Sequence, residues 1–326
     1  MIEGLAGLLM NLWIIAAMGF VLGIIFISLA ASYLISIQSC FNSSAKEKFI
    51  WAMALLPWIS GVFFVLLCLT PSITHALGWS VDHCHIHSHG HLCWRHPLMF
   101  EYDSWKMIFG LIVTGLVVLS MSKMLFRYYR QASSLGLLQS LSTKRESDIY
   151  IYENDQPHAF TAGLGSPQIF ISTGLMNQLD QRELSIVVQH ERLHQQRRDP
   201  LRLWLFNLLV CVLGRSSRRQ LSEAMELAIE QSVDARVAIS AQDAPAVAQT
   251  LLKVNRLELH YFKRFAISCA FCTTALEARI QQLLAHSPGR QFPLLSFVLS
   301  ICAICITGIY HADALHHLLE NFLHHH

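Results

Sequence analysis

The chain has 326 residues, of which 53% are hydrophobic and only 14% charged, with a mean hydropathy of +0.40. Soluble globular chains carry about a quarter charged residues, so this composition excludes an ordinary soluble domain, a disordered chain and a fibrous one. The net charge of +2 selects no partner, and 18 histidines against 22 acidic residues is a second departure from the usual.

Four apolar runs account for the hydropathy. Leu5–Ile37 holds no Asp, Glu, Lys or Arg over 33 residues, beyond the ~20 that cross a bilayer. It lacks the basic start of a cleaved signal peptide and is too long for its apolar core. Gly19 and Gly23 within it read either as a helix contact face or as ordinary transmembrane glycines. Phe49–Leu69 follows, interrupted by Pro57, and then Met107–Met121, which reaches spanning length with its flanks. Phe292–Ile309 is the fourth. Leu201–Leu213 is too short, is broken by Arg202 and Asn207, and reads as a buried or membrane-hugging helix. One such run is compatible with a buried core helix; four, separated by charged material, read as spans.

Orientation follows from the basic residues. Of 24, 20 lie between Lys123 and Arg290, Lys46 and Lys48 lie between the first two spans, and only Arg95 and Lys106 lie between the second and third. The positive-inside bias puts residues 38–48 and 123–291 in the cytoplasm. The expected protein is a mainly α, multi-pass protein of the plasma or inner membrane. Residues 1–126 form three transmembrane helices with a His-rich outer loop at 71–105. Residues 127–291 form a cytoplasmic α+β domain, and residues 292–326 a fourth transmembrane helix with a short His-rich outer tail.

Within the cytoplasmic segment, Ile149–Glu153 reads as a short strand, Pro157–Gly165 as a turn-rich connection, and Gln168–Ser172 as a strand ended by Thr173–Gly174. Helices are predicted over Asp180–Gln196, Leu201–Leu213, Leu221–Ser240, Ala244–Arg256 and Thr274–Ala285. The first carries His190-Glu191-Arg192-Leu193-His194. Histidines at i and i+4 share a helical face, so both rings reach one metal. Imidazole suits zinc, and a catalytic zinc takes three protein ligands and a water. The adjacent Glu191 is placed to accept that water's proton. The competing reading is a solvated face with two incidental histidines. Further on, Glu230 and Asp234 share a face by their spacing. One carboxylate can bind a metal while the other anchors a ligand histidine; by spacing alone, Glu230 is equally a surface charge.

The stretch from Ala159 to Leu284 resembles the BlaR/MecR-type membrane metallopeptidases, and more distantly the HtpX-type membrane zinc proteases. The resemblance rests on Ala159-Phe160-Thr161-Ala162-Gly163, Pro167 to Leu175, the His190–His194 motif with Arg198-Asp199 behind it, Phe206-Asn207, Glu230-Gln231-Ser232-Val233-Asp234 and Arg279-Ile280, in that order. Leu208 stands where the family usually has Pro. The resemblance implies a zincin-like peptidase domain between spans three and four, with His190, His194 and Glu230 as zinc ligands, Glu191 as general base and Asp234 behind the ligands. It also implies a cytoplasmic DNA-binding repressor as substrate, with self-cleavage a further option, and no direct contact of this chain with nucleic acid. The β-lactam-sensing members carry a penicillin-binding domain after the fourth span. With 17 residues after Ile309, sensing of β-lactams through such a domain is not expected here. The strand Gln168–Ser172, with Ile169, Phe170, Ile171 and Ser172, is either an edge that pairs an extended substrate or a plain core strand.

Seven histidines fall in the outer loop and six in the tail. His83, His85, His87, His89 and His91 alternate, with Cys84 and Cys93 among them, and an extended stretch lines the five imidazoles along one side. This donor set suits zinc, copper or nickel; the alternatives are weak metal binding without a signalling role and a Cys84–Cys93 disulfide. The leading expectation is therefore a membrane zinc endopeptidase that reports an outside signal, metal ions among the candidates, by cleaving a repressor. Constitutive quality-control proteolysis of the HtpX type is the second reading. A non-enzymatic metal-binding or transport protein is the third, disfavoured because transporters place ionisable ligands near the bilayer midplane.

Overall fold

The computed structural model describes residues 5–38, 41–78, 104–146, 148–262 and 269–284, with isolated positions at 291, 299, 303, 306 and 307. Most of the described residues are helical. Three helices come first: α1 (Leu5–Gln38), α2 (Ser43–Ala76) and α3 (Ser104–Ser140). Leu5–Gln38, Ser43–Thr70 and Trp105–Ser140 are each long and apolar enough to cross a membrane. The expected fourth span lies almost wholly outside the described residues. So do His83, Cys84, His85, His87, His89, His91, Cys93 and the tail histidines.

The described residues group into two compact units, one drawn from 1–31, 52–120 and 292–326, the other from 32–51 and 121–291. In the first, α1 and α2 meet at Gly19 and Gly23. A Cβ on Gly19 would sit 2.8 Å from the Ser60 carbonyl oxygen, and one on Gly23 2.7 Å from the Pro57 Cα. Ser60 Oγ donates to the Gly19 carbonyl at 2.9 Å. The glycine pair is thus a contact face, where small residues let backbones approach.

Among the described residues, the second unit holds the parts of α1, α2 and α3 within 32–51 and 121–140, a four-stranded sheet and six further helices. Its strands are β1 (Thr143–Glu146), β2 (Ile149–Tyr152), β3 (Ala159–Ala162) and β4 (Gln168–Ser172). Their order is β1-β2-β4-β3, with β2 and β4 parallel and the outer pairings antiparallel. The alternating Ile-Tyr-Ile-Tyr of β2 sends the two residue types to opposite faces. Ile149, Ile169 and Ile171 pack under Leu184, Val187 and Val188. Tyr150, Tyr152 and Phe170 gather Phe160, Leu135 and Leu138 on the other face.

The possible substrate edge at Ile169, Phe170, Ile171 and Ser172 is corrected here. β4 pairs on both sides, with β2 and with β3, and all four residues are buried. A strand apolar along its length suits burial on both faces in the middle of a sheet, where both its edges also find backbone partners. The edge strands are β1 and β3, and β3 lies inside the stretch expected to be a turn-rich connection. Its small residues Ala159 and Ala162 hide the strand signal, because tertiary pairing with β4 outweighs weak local preference.

The helices are α4 (Thr173–Gln178), α5 (Gln181–Arg197), α6 (Asp199–Val210), α7 (Arg215–Ala241), α8 (Ala244–Phe262) and α9 (Cys269–Leu284). α5 starts on a capping box, Asp180 accepting from the Glu183 amide while Glu183 accepts from the Asp180 amide. It stops at Arg198 in the left-handed region, φ 54°, and Pro200 then opens α6. α6 covers the segment read as buried or membrane-hugging; it buries Phe206 and Val210. Ile186 of α5 packs with Val233 and Val237 of α7 and Val247 of α8. That contact sets the histidine face of α5 against the carboxylate face of α7.

Candidate metal centre

Three side chains from two helices converge. His190 Nε2 lies 3.0 Å from His194 Nε2 and 3.3 Å from Glu230 Oε2, and His194 Nε2 lies 3.5 Å from Glu230 Oε1. All three donor atoms fall within 4.8 Å of one another. Tetrahedral ligands bound at ~2.0–2.1 Å stand about 3.3 Å apart, so the spacing fits a single first-row cation. The i,i+4 register of α5 supplies two donors; the third requires α7 alongside.

The other imidazole nitrogens are held by carboxylates. His190 Nδ1 is 3.2 Å from Asp234 Oδ1, and His194 Nδ1 is 2.9 Å from Asp199 Oδ2. This leaves each Nε2 for the cation, the arrangement that fixes ring orientation and raises ligand basicity. Asp234 thus meets His190 on the side away from His194 and Glu230. Asp199 plays the matching part for His194, a role the sequence reading did not assign. Both carboxylates are buried.

The charged groups at the site shift one another's titration. Burial alone would lower His190, but hydrogen bonds to Asp234 and Glu230 outweigh it and raise the ring to about 10. Burial would raise Glu230, but the Arg279 guanidinium and His190 hold it well below the ordinary carboxylate range. For Asp234, hydrogen bonds from His190 and Arg279 likewise overcome burial and lower it. Arg279 reaches in from α9, with Nε 2.7 Å from Asp234 Oδ2 and Nη2 3.2 Å from Glu230 Oε2. Sequence reasoning placed Arg279 in a late helix and gave it no role; a lone Arg some 45 residues from its partner leaves no local signal.

Glu191 is buried and stands apart from the three donors. Its Oε2 accepts from Thr161 Oγ1 at 2.8 Å, and its own carbonyl lies 3.0 Å from the same hydroxyl. Thr161 belongs to β3, so the edge strand runs beside the first His of α5. A cavity of about 1370 Å³ opens here, lined by His190, Glu191, His194, Glu230, Arg279 and Phe160 among others.

The donor set, two neutral-capable imidazoles and one carboxylate with a free carboxylate beside them, fits a hydrolytic metal centre. Comparison with known proteins points the same way. One similar protein is a protease HtpX homolog from Acidiphilium cryptum (strain JF-5), 39% identical over 72 residues. That match covers 21% of this chain and 25% of the relative, so the chain spans about a quarter of the length of the curated relative it matches. No solved structure matches. The model of the BlaR1 peptidase M56 family matches residues 95–283. With more than half its length matched, the chain belongs to that family of membrane metallopeptidases.

Proposed function

We propose that the chain is a membrane zinc endopeptidase that cleaves a cytoplasmic transcriptional repressor in response to a signal from outside. The observation that carries the catalytic part is the convergence of His190, His194 and Glu230 with Glu191 beside them in one large cavity. Zinc, when bound, supplies a Lewis acid that polarises the scissile carbonyl and acidifies water. Glu191 takes the proton of the attacking water and returns it to the leaving amine. Thr161 holds the Glu191 carboxylate in place through its hydroxyl. Asp234 and Asp199 keep the two imidazoles oriented.

The open edge of β3 is the surface for an extended substrate. The Ser172 amide donates to the His158 carbonyl at 2.9 Å. Antiparallel alternation then turns the main-chain groups of Ala159 and Thr161 toward the free edge. A peptide pairing there lies along the strand that touches Glu191.

The His-rich loop and tail favour sensing, with zinc, copper or nickel as inducing ions, since a housekeeping protease has no need of them. Constitutive quality-control proteolysis remains the second reading, supported by the similarity to the HtpX homolog. Transport without catalysis is disfavoured because His190, His194 and Glu230 lie in sequence outside the three apolar helices.

The test is cleavage of candidate repressors in membranes carrying the wild-type chain or Glu191→Ala. Cleavage lost in the variant, and raised by added metal in the wild type, supports the proposal. Cleavage unchanged in Glu191→Ala removes the catalytic assignment. Wild-type cleavage indifferent to all three metals removes metal sensing.

A further inference from the structure

The ion pairs behind His194 do not end at Asp199. Asp199 Oδ1 lies 2.8 Å from Arg202 Nη1 and 3.2 Å from Arg197 Nε. Both guanidiniums then meet one further carboxylate: Glu47, 2.7 Å from Arg197 Nη2 and 2.5 Å from Arg202 Nη2. Glu47 is 6% exposed and sits in the first turns of α2. Arg197 also donates to Ser232 Oγ at 2.6 Å, in the same α7 turn region as Glu230. The neighbour of Glu47 docks as well. Lys46 Nζ donates to Gln231 Oε1 at 2.9 Å, next to Glu230, and to Gln282 Oε1 at 3.3 Å. Two adjacent residues of opposite charge thus reach the two helices that carry the metal donors.

We propose that Glu47 is a positioning residue of the metal centre, acting on His194 through Arg197, Arg202 and Asp199. This rests on the zinc reading given above. Asp199 must stay anionic and aimed at His194 Nδ1 to keep Nε2 available to a cation. Two guanidiniums hold Asp199 on its far side. Alone with one carboxylate they would leave a net positive charge close to where a dication binds. Glu47 makes the group two cations and two anions, so Asp199 is held without that penalty. Glu47, Arg197 and Asp199 are largely buried, so an uncompensated charge there is screened less than one at the surface. A residue from α2, outside the 95–283 match, therefore completes the outer support of the site.

The test uses the full chain in detergent micelles, with zinc affinity read by competition against a chromogenic chelator. Glu47→Gln is expected to weaken zinc binding about tenfold or more. Glu47→Gln combined with Arg202→Gln restores neutrality and is expected to return affinity to within about threefold of wild type, a recovery that loss of packing cannot produce. Lys48→Gln, an exposed charge on the same helix, should leave affinity unchanged. Wild-type affinity in Glu47→Gln overturns the proposal, as does a double variant as weak as the single one. If Glu47→Gln does not fold, its effect is read between Arg202→Gln and the double variant: weaker binding in the double supports the role, and equal binding overturns it. Glu230→Gln checks the reading beneath. If it binds zinc like wild type, the site itself is misassigned, whatever Glu47 does.

Discussion

Arg279 grips both carboxylate oxygens of Asp234, Nε at 2.7 Å from Oδ2 and Nη2 at 2.9 Å from Oδ1. The Asp234 side chain is 1% exposed, and its other partner is His190. The fork ties α9 to α7 and fixes the carboxylate plane that orients the imidazole. Arg279→Ala leaves a buried carboxylate short of a partner, which costs about 3 kcal/mol. Thermal unfolding of the zinc-free protein should show the midpoint falling by several degrees. Arg279→Lys keeps the charge but lacks the planar fork. It should recover part of the stability and little of the zinc affinity; full recovery of affinity would mean that charge alone matters.

The Thr161–Glu191 contact gives a graded prediction. If Glu191 transfers protons without binding the cation, as proposed, Glu191→Gln should lower kcat by about 10²–10⁴ while zinc affinity stays within a few fold. Thr161→Val removes the hydroxyl and keeps the shape. It should lower kcat by about tenfold with KM little changed, since a misaimed base loses part of that factor. Peptide-cleavage kinetics on zinc-loaded protein check both. A Thr161→Val effect confined to KM would make Thr161 a substrate contact.

With His190 as a zinc ligand, as proposed, protons and zinc should compete for it. In the metal-free protein, His190 is raised from 6.5 to about 10 by Asp234 and Glu230. Its protonated form therefore stabilises the fold fully below pH ~6.5, and that contribution is lost as pH rises toward 10. Zinc must displace this proton, so affinity should rise about tenfold per pH unit between pH 7 and 9. Chelator competition across that range measures the slope. Unfolding midpoints should diverge too, the metal-free protein weakening with rising pH while the zinc-loaded one does not. A flat affinity profile would show that His190 is already neutral before zinc arrives.

Legibility in the sequence followed the range of each signal. The apolar runs announced α1, α2 and α3, because a spanning helix is a local property of about twenty residues. The end of α3 was missed: the helix continues to Ser140 through Arg, Gln, Ala and Leu, residues that neither stop a helix nor extend an apolar run. β2 and β4 were visible as β-branched and aromatic runs. β1 and β3 were not, since Thr-Lys-Arg-Glu and Ala-Phe-Thr-Ala acquire strand form only from their neighbours in the sheet.

The metal centre divides the same way. Sequence alone determined that His190 and His194 share a helical face with Glu191 beside the first, because a 3.6-residue period fixes it over five residues. It also placed Glu230 and Asp234 on one face of a second helix, and family resemblance joined the two. Only the tertiary structure decided which carboxylate stands behind which ring. It also decided that Arg279 meets Asp234 and Glu230, that Thr161 meets Glu191, that β3 rather than β4 lies at the sheet's edge, and that Glu47 of α2 meets Arg197 and Arg202. Each of these depends on residues tens to more than a hundred positions apart meeting in a buried place. No local periodicity encodes that meeting; packing of the Ile and Val faces of α5, α7 and α8, and the need to pair every buried charge, settle it.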